Sequence, residues 1–152
     1  SDDVDEQDKL LVEQLPLLGE EAVKFGLNLL LEPVNSFETD YLTTVNHAAK
    51  ICEQVDHPSV GLTPDFYHMQ MEEINVPVAL KEAAKWIRHV HTAENTRVEP
   101  GPGQMNFRPG FRALKDSGYS GFVEVECRKL SGPASEVLPK SVDYLRREWD
   151  EA

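Results

Sequence analysis

Leu27-Asn28-Leu29-Leu30-Leu31-Glu32-Pro33 (residues 27–33) is a short, nearly continuous apolar run that ends in a carboxylate and then a proline. An apolar run of this length, bounded by Gly26 before and Pro33 after, reads as a strand covered on both faces. Three further runs follow the same plan. Val60 to about Thr63 leads to Asp65, Trp86-Ile87-Arg88-His89-Val90-His91 ends on a histidine, and Gly121-Phe122-Val123-Glu124-Val125-Glu126 ends on a glutamate. Between them lie helical patterns. Leu10, Leu11, Leu15, Leu18, Ala22 and Phe25 recur at helical spacing over residues 8–25, with Pro16 as a possible kink and Gly26 as a stop. Leu42, Val45, Ala48, Ala49 and Cys52 form one stripe over Asp40 to about Gln54. Further helices are predicted over Pro77–Lys85, Phe107–Asp116 and Ser135–Trp149, the last with Pro139 in its first turns and so with an uncertain start.

Strands separated by helical crossovers build a parallel sheet. The order α-βα-βα-βα-βα, without low-complexity or Gly/Ser linkers, predicts one α/β domain over residues 1–152. Side chains at the same end of adjacent parallel strands converge. Intervals of 33, 26 and 35 positions separate Glu32, Asp65, His91 and Glu126 in turn, each close to the roughly 30 residues of one βα unit. Three carboxylates and one imidazole suit a hard or borderline divalent ion, with Mn²⁺, Mg²⁺, Co²⁺ and Zn²⁺ all chemically compatible. The plain alternative is that each acid caps a following turn. That account is preferable for one strand and less so for four in register.

Composition narrows the partners. The 152 residues are 40% hydrophobic and carry a formal charge of −12, which repels nucleic-acid backbones and anionic membrane surfaces. Asp2, Asp3, Asp5, Glu6 and Asp8 crowd the start of the chain and suit a helix N-terminus. No apolar run reaches the roughly 18 residues of a membrane span, and the acidic start does not read as a signal peptide. Cys52 and Cys127 form no CxxC motif and are read as reduced thiols of a cytoplasmic protein.

Around the four candidate ligands the wording of the sequence is specific as a set. Glu32-Pro33-Val34-Asn35-Ser36-Phe37-Glu38, Asp65-Phe66-Tyr67-His68-Met69, His91-Thr92-Ala93-Glu94-Asn95-Thr96-Arg97, Pro100-Gly101-Pro102-Gly103 and Val125-Glu126 resemble, in order and spacing, the xylose-isomerase-like sugar isomerases and epimerases of the D-tagatose/D-psicose 3-epimerase kind. The resemblance covers about residues 20–130. It implies the C-terminal half of a TIM (β/α)₈ barrel and a metal-dependent isomerase or epimerase of a keto-sugar, working by proton transfer through an enediolate. It further implies that Glu32, Asp65, His91 and Glu126 ligate the ion, that Glu32 and Glu126 form the acid/base pair, and that Glu38, His68 and Arg97 contact the sugar. Pro64 before Asp65 and Phe66-Tyr67 after it depart from the family pattern and leave the sugar open.

Other readings stand beside these. Glu38 could cap a following helix, His68 could be a loop residue, and Arg97 could pair with acids such as Glu94. His89 is read as lining the same strand face as His91, His47 as a helix-face residue, His57 as a turn residue, and Met69 and Met71 as packing. An endonuclease IV-like phosphodiesterase would need more histidines and a basic groove. A half-barrel that binds metal or a partner without turnover is the non-enzyme alternative. Four strands also leave two open edges: either the chain is a piece of a longer protein, or it self-associates near Leu29 and Val123 or recruits a separate partner, with a flavodoxin-like monomer whose helices re-cover both faces as the competing arrangement.

Overall fold

In a computed structural model of the chain, residues 3–152 are described. Asp2, counted above in the acidic start, lies outside them. Helix α1 spans Val4–Lys24. Its N-cap is Asp3, whose carboxylate accepts the Asp5 and Glu6 amides at 3.0 and 3.3 Å, as the acidic start led one to expect. The helix stops in a Schellman arrangement: Leu27 N–H donates to Ala22 O and Gly26 N–H to Val23 O. Gly26 takes φ +66°, a conformation that glycine adopts without penalty. Pro16 is accommodated within α1.

Four short strands follow in turn: β1 Leu29–Leu31, β2 Val60–Leu62, β3 Val90–Thr92 and β4 Val123–Val125. Helix α2 (Val45–Val55) separates the first two. Helices α3 (Phe66–Glu72) and α4 (Val76–Ala83) precede β3, α5 (Arg108–Asp116) precedes β4, and α6 (Ala134–Asp150) closes the chain. β1 pairs with β2 in parallel, Leu30 opposite Gly61, and β3 with β4, His91 opposite Glu124. Parallel bridges Leu62–Ile87 and Asp65–His91 join the two pairs, so the strands lie side by side in chain order, as in an open arc of a (β/α) barrel.

Several boundaries differ from the sequence reading. α2 begins at Val45 rather than Asp40, because Thr44 supplies the N-cap oxygen, 3.3 Å from the His47 nitrogen. β3 begins at Val90 rather than Trp86. Trp86 and Ile87 are apolar because the chain is buried there as it leaves α4, with only the Leu62–Ile87 bridge pairing it. α3 was not anticipated. Seven residues are too few to display a helical stripe, and Asp65 caps this helix by accepting the Tyr67 amide at 2.9 Å. α6 begins at Ala134, ahead of Pro139, which lies inside it.

The core sits between the sheet and the helices. Val60, Leu62 and Val90 from the strands meet Ile51, Leu80, Phe107, Phe111 and Leu114, all essentially inaccessible. Phe66 packs edge-on against Phe107 and Phe111, with ring centroids 5.5 Å apart in both pairs, a favoured aromatic geometry. On β3, Val90 and Thr92 face this core while His91 faces the opposite, concave side. That side holds the polar groups.

Candidate metal centre

All four residues singled out at the strand ends meet. Glu32 directly follows β1, Asp65 caps α3 just beyond β2, His91 lies within β3, and Glu126 directly follows β4. One ligand atom from each falls within 4.8 Å of the other three. His91 Nδ1 is 3.0 Å from Glu32 Oε1 and 3.6 Å from Glu126 Oε2. Asp65 is fully buried, whereas Glu126 is nearly half exposed. Donors at the usual 2.0–2.2 Å from one ion can be about 4.4 Å apart at most, so a slight contraction brings the set onto a single divalent ion. The donor chemistry and the spacing therefore fit such an ion.

The electrostatics follow from this crowding. For Glu32, burial pushes the pKa up, but the hydrogen bond to His91 and the charges of His91 and Arg97 outweigh it and the net shift is downward. The hydrogen bond to Glu32 raises the pKa of His91, burial opposes it, and the charges of Glu32, Glu126 and Asp65 add to the rise. Arg97 is the cation of the cluster. Its guanidinium bonds both Asp65 and Glu126 and lies over the Tyr67 ring, 4.4 Å from its centroid. Glu94, offered above as its partner, instead folds the following loop by accepting the Gly101 and Met105 amides at 2.8 and 3.0 Å.

His68 is buried, with Nε2 3.7 Å from Asp65 Oδ2, so it is no surface loop residue. Its Nδ1 accepts the Asn35 backbone N–H at 3.2 Å, which places the ring proton on Nε2, toward Asp65. The Asn35 side-chain amide donates at 3.0 Å to Glu38 Oε1. The next helix, α2, begins only at Val45 and is capped by Thr44, so the capping alternative fails. Asn35 thus links Glu38 to His68 and was missed as a functional residue. Within a polar turn, an asparagine carries no signal that distinguishes a buried linker from a solvated loop residue. Tyr67, beneath Arg97, was missed for a similar reason.

His47 sits on α2 and meets Asp8 at 2.8 Å, while His57 packs at a turn against Gly19. Met69 is buried in the core and Met71 is exposed. Cys52 and Cys127 are free thiols.

The family profile described as Xylose isomerase-like TIM barrel matches residues 1–148. The chain belongs to this family. Within the xylose isomerase-like family, the chain is 31% identical over 138 residues to 3-dehydro-D-guloside 4-epimerase of Escherichia coli K12, covering 91% of this chain and 53% of that protein. It is 35% identical over 132 residues to ketose 3-epimerase of Arthrobacter globiformis, covering 87% and 45% respectively. The crystal structure of D-psicose 3-epimerase with D-tagatose from Clostridium cellulolyticum H10 superimposes with a TM-score of 0.88 at 27% identity, over 97% of this chain and 58% of that one. The chain therefore spans about half the length of the relatives it matches. The fold is that of xylose isomerase-like TIM barrels, α/β with parallel strands. Among the described residues, no helix is long and apolar enough to cross a membrane.

Proposed function

We propose that residues 1–152 act as one half-barrel unit carrying the metal-binding part of a sugar isomerase or epimerase site, with a keto-sugar as substrate. The observation that supports this most is the convergence of Glu32, Asp65, His91 and Glu126 from the C-terminal ends of four parallel strands, the end of a (β/α) barrel where active sites sit. These four would hold a divalent ion, with Mn²⁺, Mg²⁺ or Co²⁺ favoured by the carboxylate-rich donor set. A bound divalent ion would polarise the substrate carbonyl and acidify the neighbouring C–H bond.

The remaining work falls to the side chains. Glu32, held ionised by its partners, takes a proton from the carbon next to the carbonyl. Glu126, across the cluster, returns one to the other face of the resulting enediolate, which inverts the carbon. Return to the adjacent carbon would instead exchange aldose and ketose. Arg97, His68 and Glu38 orient the sugar hydroxyls. Epimerase names among the relatives support this class of chemistry. A cytoplasmic setting goes with this reading.

Glu32→Gln tests the proposal. In any assembly of this chain that turns over a ketohexose, the substitution should lower kcat by about two orders of magnitude or more. Solvent deuterium should enter the reacting carbon during wild-type turnover. Turnover without exchange would refute proton transfer. A chain that binds Mn²⁺ yet leaves ketohexoses untouched would favour the non-catalytic half-barrel.

A further inference from the structure

A second set of donors stands beside the four-ligand cluster on the concave face. His89 precedes His91 by two residues, and an extended chain puts such residues on one side. Glu124 is the ladder partner of His91 across β3 and β4, so it projects from the same face. His89 Nε2 is 2.8 Å from Glu124 Oε2, and the His89 and His91 rings meet edge to face with centroids 5.1 Å apart. One ligand atom from each of the three lies within 4.8 Å of the other two.

We propose that His89, His91 and Glu124 form a second divalent-ion site, selective for a borderline ion such as Zn²⁺. Two imidazoles and one carboxylate are the donors from which zinc sites with an open position are made. Three carboxylates and one imidazole, as in the neighbouring set, suit Mn²⁺ or Mg²⁺ better. An exposed His89–Glu124 pair could be a simple surface contact of little energetic weight. Such a pair requires two residues. Here a third metal-capable ring converges on them, fixed there by strand register rather than by chance rotamers.

His91 belongs to both sets. An ion bound with His89 and Glu124 takes the one imidazole of the four-ligand set, so zinc and manganese exclude one another. The second site itself does not depend on the epimerase reading. Only the consequence that zinc would inhibit turnover does.

Calorimetric titration of the 152-residue chain with Zn²⁺ alone and Mn²⁺ alone separates the two sets. In Glu32→Gln/Glu126→Gln, Mn²⁺ binding should be lost while one Zn²⁺ per chain is still bound, by the second set alone. Adding His89→Gln/Glu124→Gln to that background should raise the zinc Kd about tenfold or more, while His89→Gln/Glu124→Gln alone leaves the Kd for Mn²⁺ within about threefold of wild type. Retained Mn²⁺ binding in the His89/Glu124 variant also reports that it is folded. An unchanged zinc Kd on adding His89→Gln/Glu124→Gln to the Glu32/Glu126 variant, or joint loss of both ions in the Glu32/Glu126 variant, would overturn the second site. Unchanged Mn²⁺ binding in the Glu32/Glu126 variant would sink the four-ligand set and leave the second site standing.

Discussion

Arg97 bonds the buried Asp65 and the half-exposed Glu126 at once, which sets what its removal should do. Arg97→Ala leaves a buried carboxylate without its principal cation. We expect a loss of about 2–4 kcal/mol in the ion-free chain, read from denaturant titration, with saturating Mn²⁺ recovering most of it. No stabilisation of either protein by saturating Mn²⁺ would refute an ion on these carboxylates. The neighbouring His91–Glu32 contact predicts a pH window. The pKa of His91 is raised above its ordinary 6.5, so its contribution is complete below 6.5 and fades as pH rises through the folded value. That of Glu32 lies below its ordinary 4.5, so its contribution is complete above 4.5 and fades as pH falls through the folded value. Both are complete between about pH 4.5 and 6.5. With chelator present, the thermal midpoint of wild type should exceed that of Glu32→Gln by about 3 °C in that window, as for a pair worth about 1 kcal/mol. The gap should narrow on either side, and a pH-independent gap would exclude the pair as its source.

Helix α5 packs without room to spare. A Cβ on Gly110 would stand 2.6 Å from Phe66 Cζ and 3.3 Å from Leu80 Cδ1, and Phe66 is itself wedged against Phe107 and Phe111. Gly110→Ala gains about 1 kcal/mol of helix propensity but overpacks the core, so the net effect should be a loss of about 1–2 kcal/mol in chemical unfolding. An unchanged midpoint would contradict the packing. At this scale the sequence was legible wherever burial and periodicity coincide. The stripe of α2 and the apolar runs before Glu32 and Glu126 announce their elements, and α1 shows its period although Leu10, Leu18 and Phe25 of its stripe stay exposed. The segment at Trp86 misleads because burial alone makes it apolar, and α3 hides because seven residues complete barely two turns. The four strand-end donors could be read because each terminates an apolar run. Asn35 and Glu94 could not. Asn35 works through His68, 33 positions away, and Glu94 through loop amides whose approach depends on the fold.

Across the described residues, β1 and β4 each pair on one side only. Phe122 beside β4 and Leu27 beside β1 are largely exposed. In isolation the chain is expected to self-associate, or to take up a complementary half-barrel along these edges, rather than through its acidic outer helices. The four-ligand set has a different consequence at this scale. Glu32 and Glu126 are 94 positions apart, and their cluster needs the ends of all four strands in place. An ion held by these four would therefore be gripped last in time: the set is incomplete until the final βα unit has docked. Divalent ion should leave the refolding rate in stopped-flow traces nearly unchanged while slowing unfolding, by about 100-fold at 100 times its Kd. A jump into chelator should restore the fast rate. If the ion instead accelerated refolding, a nucleus containing the cluster would have to exist early, and the last strand would be recruited before the helices between.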